Sequence, residues 1–549
     1  MHFSSRHPGR CNRHLFRVVA LVFGTLDTSS SYADDARHAD QVHLAFLGDA
    51  RYSVAWAGAG ALLGAHVRFW TDRNEERRRA PAEEFAWGRG ERKRYGYGAV
   101  LDRLGPGLVV HYVVADSGGG LVEERVFRTE PTADQPFTIV AWGDLGTHEA
   151  SAQSVRMATD DAPSILLHAG DLAYAGGDQR VWDRWFRMIE PLAATVPYMP
   201  APGNHEYERG RGCSTYSARF YLPGNERYYT TRWGSVDVLF LDTEEDLSLG
   251  SVQYRFAEGA LAGFDTDSER WKLIVLHKPL WSSGRHGSSP KIARALTPLL
   301  HRYDVDLVLA GHDHNFERAW PLWGRKILRP VGRRSWGSLG FDHLVTGTAG
   351  RPTYRGGYSD FTAYQVSRIH YSRIRVEGDR LRIDAVGVPS GEVFHAWEIA
   401  AGWTDCPALA AAERVEGGRE RLPALRSFRD GVLAGLPGGR DLVGDYYRNG
   451  GEVLRLLDGN EAASELAGEL LVALGDGVAA EGGGWVPDRS ARDGVAKLAR
   501  TLAGGAKPNL AALLGGLAGT IEAAPGGSDL RAISVMVIEG LKEHPAMRQ

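Results

Sequence analysis

Residues 137–146 read Phe-Thr-Ile-Val-Ala-Trp-Gly-Asp-Leu-Gly, a short and mostly apolar run that stops at a glycine and an aspartate. Such a run, too short for a helix and without polar alternation, is the mark of a strand buried on both faces. The same arrangement recurs downstream. Residues 164–168 lead into Gly170-Asp171-Leu172-Ala173-Tyr174, and residues 196–202 into Gly203-Asn204-His205-Glu206. Residues 271–276 end at His277, and residues 307–310 at Gly311-His312-Asp313-His314. Helical stripes lie between them. Val181, Trp185, Met188 and Leu192 share one helix face, as do Ile292, Leu296, Leu299 and Tyr303, with Pro298 expected to kink or restart the second helix. Short buried strands alternating with helices predict an α/β domain. It spans 136–400 and closes on strands at 371–376, 381–386 and 393–399.

On either side the pattern changes. Residues 41–131 alternate apolar with polar or small side chains at 42–46, 53–57, 67–70, 108–114 and 124–128, punctuated by Gly, Asp and Pro. That spacing predicts an all-β sandwich of about 90 residues. After 405, Ala, Gly, Leu, Arg and Glu dominate. Leu425, Phe428, Val432 and Leu436 form an amphipathic stripe, and Trp485 and Pro487 sit in a Gly-rich break. Residues 405–549 therefore read as an all-α tail domain that carries no cluster of chemically active side chains. Three such units suit a chain of 549 residues. With 43% hydrophobic and 24% charged residues the chain is globular rather than disordered. A net charge of −4 and the lack of a basic run argue against nucleic-acid binding.

The start of the chain reads as a signal peptide over residues 1–33. Arg6, Arg10, Arg13 and Arg17 precede an apolar stretch at 18–26 that is too short to span a bilayer, and Ser31-Tyr32-Ala33 resembles a cleavage site. A secreted or periplasmic protein without a transmembrane span is expected. Of three cysteines, Cys11 falls in this leader, while Cys213 and Cys406 either bridge or remain separate thiols.

Active groups of α/β sheets gather at the carboxyl ends of strands. Five such ends here deliver Asp144; Asp171 and Tyr174; Asn204; His277; and His312 and His314. Each piece alone is weak, since a Gly-Asp is usually a turn and a histidine before Lys-Pro is usually structural. Gly-Asn-His-Glu is more specific, and in Gly-His-Asp-His two imidazoles two residues apart can point the same way. Mixed Asp, Asn and His donors suit iron, zinc or manganese. The lack of clustered cysteine argues against a structural zinc site or an iron–sulfur cluster. A carboxylate can bridge two cations, and a pair about 3.5–4 Å apart can clamp a phosphoryl group.

In this order the motifs resemble those of the metallophosphoesterases. Tyr174, with Gly146 where many relatives carry a histidine, points to the purple acid phosphatase branch. Gln41-Val42-His43-Leu44 and Tyr97-Gly98-Ala99-Val100-Leu101 are similar to that family's amino-terminal fibronectin-type-III-like domain. The resemblance covers about residues 41–400 and implies a multidomain fold, with a metallophosphoesterase sandwich of two mixed sheets flanked by helices at its centre. It implies Fe(III) on Asp144, Tyr174 and His314, a second divalent metal (Fe, Zn or Mn) on Asn204, His277 and His312, and Asp171 bridging both. The implied activity is that of an acid phosphatase hydrolysing phosphate monoesters by attack of a metal-bound hydroxide, with a purple colour from tyrosinate.

His205 and His286 are the candidates for protonating the leaving oxygen; for His286 an ordinary exposed loop residue is the competing reading. Arg285 is either a substrate contact or a solvated side chain. His148, His168, His301, His343, His370 and His395 fit no motif position, and Tyr207, Trp281 and Tyr354 either shape the pocket or, the preferred reading, are aromatics packed in the core or at the rim. Two other functions fit parts of the pattern: a phosphodiesterase or nucleotide hydrolase with the same centre, and an envelope binding protein with a vestigial one. The oligomeric state is left open.

Overall fold

The structure, a computed structural model, describes residues 38–542 apart from 59, 88–93, 209–211, 265–269, 324–325, 328–334, 337–340, 379, 401–406, 413, 418–420, 422–423, 426–427, 434–435 and 438–449. The leader segment lies outside the described residues. So does Cys406, and with it the bridge to Cys213, which is buried.

The amino-terminal strands build an eight-stranded antiparallel sheet in the order Ala39–Gly48, Arg51–Gly58, Arg94–Leu101, Asn74–Trp87, His66–Thr71, Val109–Asp116 and Gly119–Gly120, with Arg125–Arg128 also paired to Val109–Asp116. All five sequence-predicted runs lie in these strands. Three strands, Asn74–Trp87, Arg94–Leu101 and Gly119–Gly120, escaped the alternation pattern. Asn74–Trp87 opens Asn-Glu-Glu-Arg-Arg-Arg, and its side chains are largely exposed, so charge hides the alternation that burial would have produced.

Two mixed seven-stranded sheets follow. The first runs Tyr198–Ala201, Ile165–Ala169, Phe137–Trp142, His370–Glu377, Arg380–Gly387, Val393–Ala400 and Ser335–Trp336. Its first three strands are mutually parallel. The second runs Tyr229–Trp233, Val236–Phe240, Trp271–Val275, Leu307–Ala310, Asp342–Thr346, Phe316–Ala319 and Thr362–Val366. Its four strands from Val236–Phe240 to Asp342–Thr346 are parallel.

Alternation along the second sheet fixes its layers. Val238, Phe240, Leu273, Val275, Leu307 and Leu309 join the main core together with residues of the first sheet. Leu239, Ile274, Leu276 and Val308 turn the other way and meet Ala257, Leu261, Leu296 and Leu299 of the helices Val252–Gly263 and Pro290–Arg302. Strands covered on both faces explain why their sequences lack polar alternation.

The helix Gln179–Ala193 buries Trp182, Trp185, Phe186, Ile189 and Leu192, leaving Val181 and Met188 half-buried. Its inner face is thus rotated slightly from the predicted stripe. Pro298 neither splits nor ends its helix, which runs unbroken from Pro290 to Arg302. A proline there removes one backbone hydrogen bond, and the full burial of Leu296, Leu299 and Leu300 offsets that loss.

The amino-terminal sheet joins the main core directly. Gln41 N donates to Glu190 Oε2 (2.9 Å), Tyr112 OH to Ala194 O (2.7 Å), and Phe46 meets Trp233 edge-on. Beyond Pro407 the described elements are helices, the longest being Glu461–Glu481, Arg489–Ala503, Pro508–Ala523 and Leu530–Lys542. They enclose small apolar clusters of their own, and Arg429 donates to His301 O (3.2 Å) at the end of the helix Pro290–Arg302. Among the described residues no helix is long and apolar enough to cross a membrane.

Candidate metal centre

The parallel strands of the two sheets bring their carboxyl ends to one place. From the first sheet come Asp144 after Phe137–Trp142, Asp171 and Tyr174 after Ile165–Ala169, and Asn204 after Tyr198–Ala201. From the second come His277 after Trp271–Val275, and His312 and His314 after Leu307–Ala310. Gly143 N donates to Thr346 O (2.8 Å), which ties the two sheets at this edge.

The backbone is strained here. Asp144, Asp171, Tyr174 and His312 have φ of 55°, 54°, 55° and 73°, a region that costs a non-glycine residue about 1–3 kcal/mol. Close approach dictates the preceding glycines. A Cβ on Gly170 would lie 2.5 Å from His277 Nδ1, one on Gly203 2.3 Å from Asp171 Oδ1, and one on Gly311 2.6 Å from Asp144 Oδ2.

The seven side chains form two touching groups. His277 Nε2 lies 3.3 Å from Asp171 Oδ1, 3.2 Å from Asn204 Oδ1 and 3.2 Å from His312 Nδ1. Ligand atoms of Asp171, His277 and His312 all fall within 4.8 Å of one another and could hold a cation. In the other group Tyr174 OH donates to Asp144 Oδ1 (2.6 Å) and sits 2.9 Å from His314 Nε2, itself 3.2 Å from Asp144 Oδ1. The groups join where His312 N donates to Asp144 Oδ2 (2.8 Å). His277 Nδ1 is 2.9 Å from Ala169 O and His314 Nδ1 is 2.8 Å from Pro352 O. Those carbonyls fix the proton on Nδ1 and leave Nε2 free to face the cluster, as outer partners do for metal-binding histidines.

His205 and His286 stand exposed on the rim, one beside each group. His205 N donates to Asp171 Oδ1 (2.8 Å), and its ring lies 4.2 Å from that of Tyr174. The His286 ring lies 4.3 Å from that of His312. Its loop is pinned by Asp313, whose carboxylate accepts from His286 N (2.7 Å), Gly287 N (3.1 Å) and Ser282 Oγ (2.6 Å). Tyr354 stacks 4.0 Å from His314 and carries the Arg285 guanidinium 5.1 Å from its ring centre, which places it at the rim of the site.

Sequence reasoning assigned no role to Glu206 or Asp313. Buried Glu206 accepts from Leu172 N (2.9 Å), Asp171 N (2.9 Å) and Gly203 N (2.8 Å), clamping two loops together. Its place inside Gly-Asn-His-Glu was visible; its partners were not. His168, by contrast, is a core residue, hydrogen-bonded to Tyr198.

Residues 137–316 match the calcineurin-like phosphoesterase family. The chain is 27% identical, over 56% of its own length, to probable inactive purple acid phosphatase 9 of Arabidopsis thaliana. It is 29% identical to acid phosphatase type 7 of Homo sapiens, over 54% of this chain and 74% of that protein. The solved structure of a purple acid phosphatase from yellow lupin (Lupinus luteus) seeds shares the fold, with a TM-score of 0.61 at 22% identity over 66% of this chain and 74% of that one. The relatives the chain resembles in sequence are thus purple acid phosphatases, and its residues 137–316 carry the calcineurin-like phosphoesterase pattern. The chain spans little more than half, 56%, of the length of the Arabidopsis relative.

A purple acid phosphatase implies a dinuclear metal centre, and the electrostatics here fit one. Asp144 and Asp171 are 0% and 2% exposed. Burial alone would raise the pKa of Asp171, but His277 and then His205 outweigh it and hold the carboxyl below its usual range. Burial would lower His277, yet Asp171 and Asp144 push it up to about 10. The buried carboxylates thus demand positive charge, and in the cation-free protein a proton on His277 supplies it. Burial and the neighbouring Asp144 keep the Tyr174 phenol protonated well above its ordinary range. An all-oxygen-and-nitrogen donor set without sulfur suits iron, zinc or manganese.

Two outcomes follow from this charge balance. A metal that takes His277 Nε2 must displace its proton, so adding Zn²⁺ to metal-free protein in weak buffer at neutral pH releases protons. Affinity then rises about tenfold per pH unit for each proton displaced; affinity that is flat across neutral pH would refute the assignment of charge to His277. In Glu206→Gln one amide N–H₂ must face a backbone N–H. Leaving buried donors unmatched costs about 1–3 kcal/mol, so the variant melts earlier and retains less metal. Wild-type melting and metal content together would show that Glu206 does not clamp these loops.

Proposed function

We propose that this chain is an exported, dinuclear-metal acid phosphatase that hydrolyses phosphate monoesters. The observation that carries the reading is the gathering of seven nitrogen and oxygen donors, from five strand ends of two sheets, into two touching groups. Asp144, Tyr174 and His314 are assigned to Fe(III), Asn204, His277 and His312 to a divalent Fe, Zn or Mn, and Asp171 to both. A trivalent ion suits Tyr174, because a strong local cation holds an acidic ligand deprotonated. When bound, the metal pair supplies Lewis-acid charge and an activated water.

The rest of the work falls to the chain's own groups. Asp144 and Asp171 anchor the donors, and Ala169 O and Pro352 O orient the imidazoles of His277 and His314. His205 and His286 are the proton donors for the departing ester oxygen. Each is exposed at the rim, and the backbone of each is fastened to a buried carboxylate, Asp171 and Asp313 respectively. Arg285 stands on the same rim.

The remaining assignments complete the proposal. Residues 1–33 are a signal peptide and the protein is secreted or periplasmic. Residues 41–131 form a fibronectin-type-III-like domain, 136–400 the catalytic domain, and 405–549 a helical domain. The complete donor set weighs against a vestigial centre.

The deciding experiment is metal analysis with p-nitrophenyl phosphate and bis-p-nitrophenyl phosphate assays on the same purified sample. Two bound metals with faster monoester turnover are expected; faster turnover of the diester would make the enzyme a phosphodiesterase. Asp171→Ala should lose metal and activity together, and retained activity would reject its bridging role. His205→Ala and His286→Ala should lower kcat by about 10²–10⁴ with metal content intact. Unchanged kinetics would return either residue to the ordinary loop.

A further inference from the structure

Arg351 lies beyond the strand Asp342–Thr346, and no motif marks it. Its guanidinium carbon nevertheless sits 4.1 Å from the centre of the Tyr174 ring. Three contacts hold it there. Arg351 N donates to Asp144 O (3.3 Å), its carbonyl accepts from Thr348 Oγ1, and Nη1 lies 2.7 Å from His148 Nε2. Arginine offers no acceptor, so His148 accepts in its neutral form, which burial and the facing guanidinium both favour. His148 is itself fixed at the start of the helix Glu149–Asp160, where its N–H donates to Ser151 Oγ (3.0 Å).

Two further observations show that the guanidinium is directed at the ring. Its Nε is buried without a hydrogen-bond partner, as expected of a planar cation laid against an aromatic face. Glycine at residue 146 leaves room for the side chain in this position. A Cβ there would stand 2.9 Å from Arg351 Cδ, and the φ of +65° itself favours glycine. The sequence feature that marked Gly146 as a departure from histidine thus makes room for this side chain.

A cation is drawn to an aromatic face by the ring's electrons, and an anionic ring draws it more strongly still. We propose that Arg351 is a positioning residue that acts through Tyr174, setting the plane of the ring and serving as its counter-charge when the phenol becomes a phenolate on iron. This rests on the reading of Tyr174 as the Fe(III) ligand.

The test is the visible spectrum of metal-free protein reconstituted with Fe(III), which reads the tyrosinate–iron bond without any turnover. Wild type shows a band that Tyr174→Phe abolishes. In Arg351→Gln the band moves to longer wavelength, because removing the positive charge raises the energy of the phenolate electrons and narrows their gap to iron. Arg351→Lys restores part of the shift. His148→Ala, which frees Nη1 but keeps the charge, shifts the band in the same direction by less, and it carries the test should Arg351→Gln fail to fold. An unmoved band in Arg351→Gln overturns this proposal while leaving Tyr174 on iron. A wild type without a band, or a band that survives in Tyr174→Phe, removes Tyr174 from iron and overturns both.

Discussion

Asp144 and Asp171 are carboxylates sealed from water, and a buried charge costs several kcal/mol unless opposite charge and hydrogen bonds meet it. Much of the site's architecture meets that demand. Backbone N–H groups of His312 and His205 donate to them, His314, His277 and Tyr174 crowd against them, and glycines at 203 and 311 stand where a Cβ would strike them. Four left-handed residues are tolerated because the turns that contain them are fixed from both sides. Gly143 is bonded to Thr346, Asp144 to Gly170, Gly311 to His277, and Glu206 holds the Asp171 and Gly203 loops together. Strain of this kind persists only where the surrounding structure over-determines it. Two sheets packed face to face, with their strand ends meeting at one rim, provide that constraint; a single loop would not.

The parts of this arrangement that sequence exposed are those encoded locally. A run of five or six apolar residues, followed by glycine and a polar donor, states its burial and its turn in consecutive positions. Ile165–Ala169 and Trp271–Val275 are indeed buried at every residue. What sequence hid depends on distant partners. Glu206 is one acid among many until its carboxylate meets N–H groups some 35 positions earlier. Arg351 acquires meaning only beside His148, 203 positions away. The strand Asn74–Trp87 stayed hidden for another reason: its charged face looks into solvent, so neither alternation nor an apolar run was written into it. Pro298 marks the opposite limit, a strong local signal overruled by the packing of Leu296, Leu299 and Leu300.

His205 and His286 also differ in how they were readable. His205 adjoins a motif asparagine, so its nearness to the cluster follows from one step along the chain. His286 sits in a loop without a signature. It reaches the rim because Asp313, wedged between His312 and His314, turns its carboxylate onto the backbone of that loop. The residue inside Gly-His-Asp-His that points away from the donors is therefore the one that fastens the second rim histidine.

The same logic extends to the amino-terminal sheet. Arg219 and Asp183 form a buried ion pair (2.8 Å) with exposures of only 2% and 6%, and Arg219 also donates to Gln41 (3.0 Å). Such pairs add little net stability but can fix one packing arrangement, because a displaced partner leaves a buried charge unmatched. Gln41 belongs to the strand Ala39–Gly48 and Asp183 to the helix Gln179–Ala193. That helix begins shortly after the loop that carries Asp171 and Tyr174, with Asp178 capping its first turn. Through Gln41, Arg219 and Asp183, the outer sheet holds the helix whose amino end receives that loop. The position of two metal-ligand candidates is in this way coupled to a sheet that contributes no donor to the cluster.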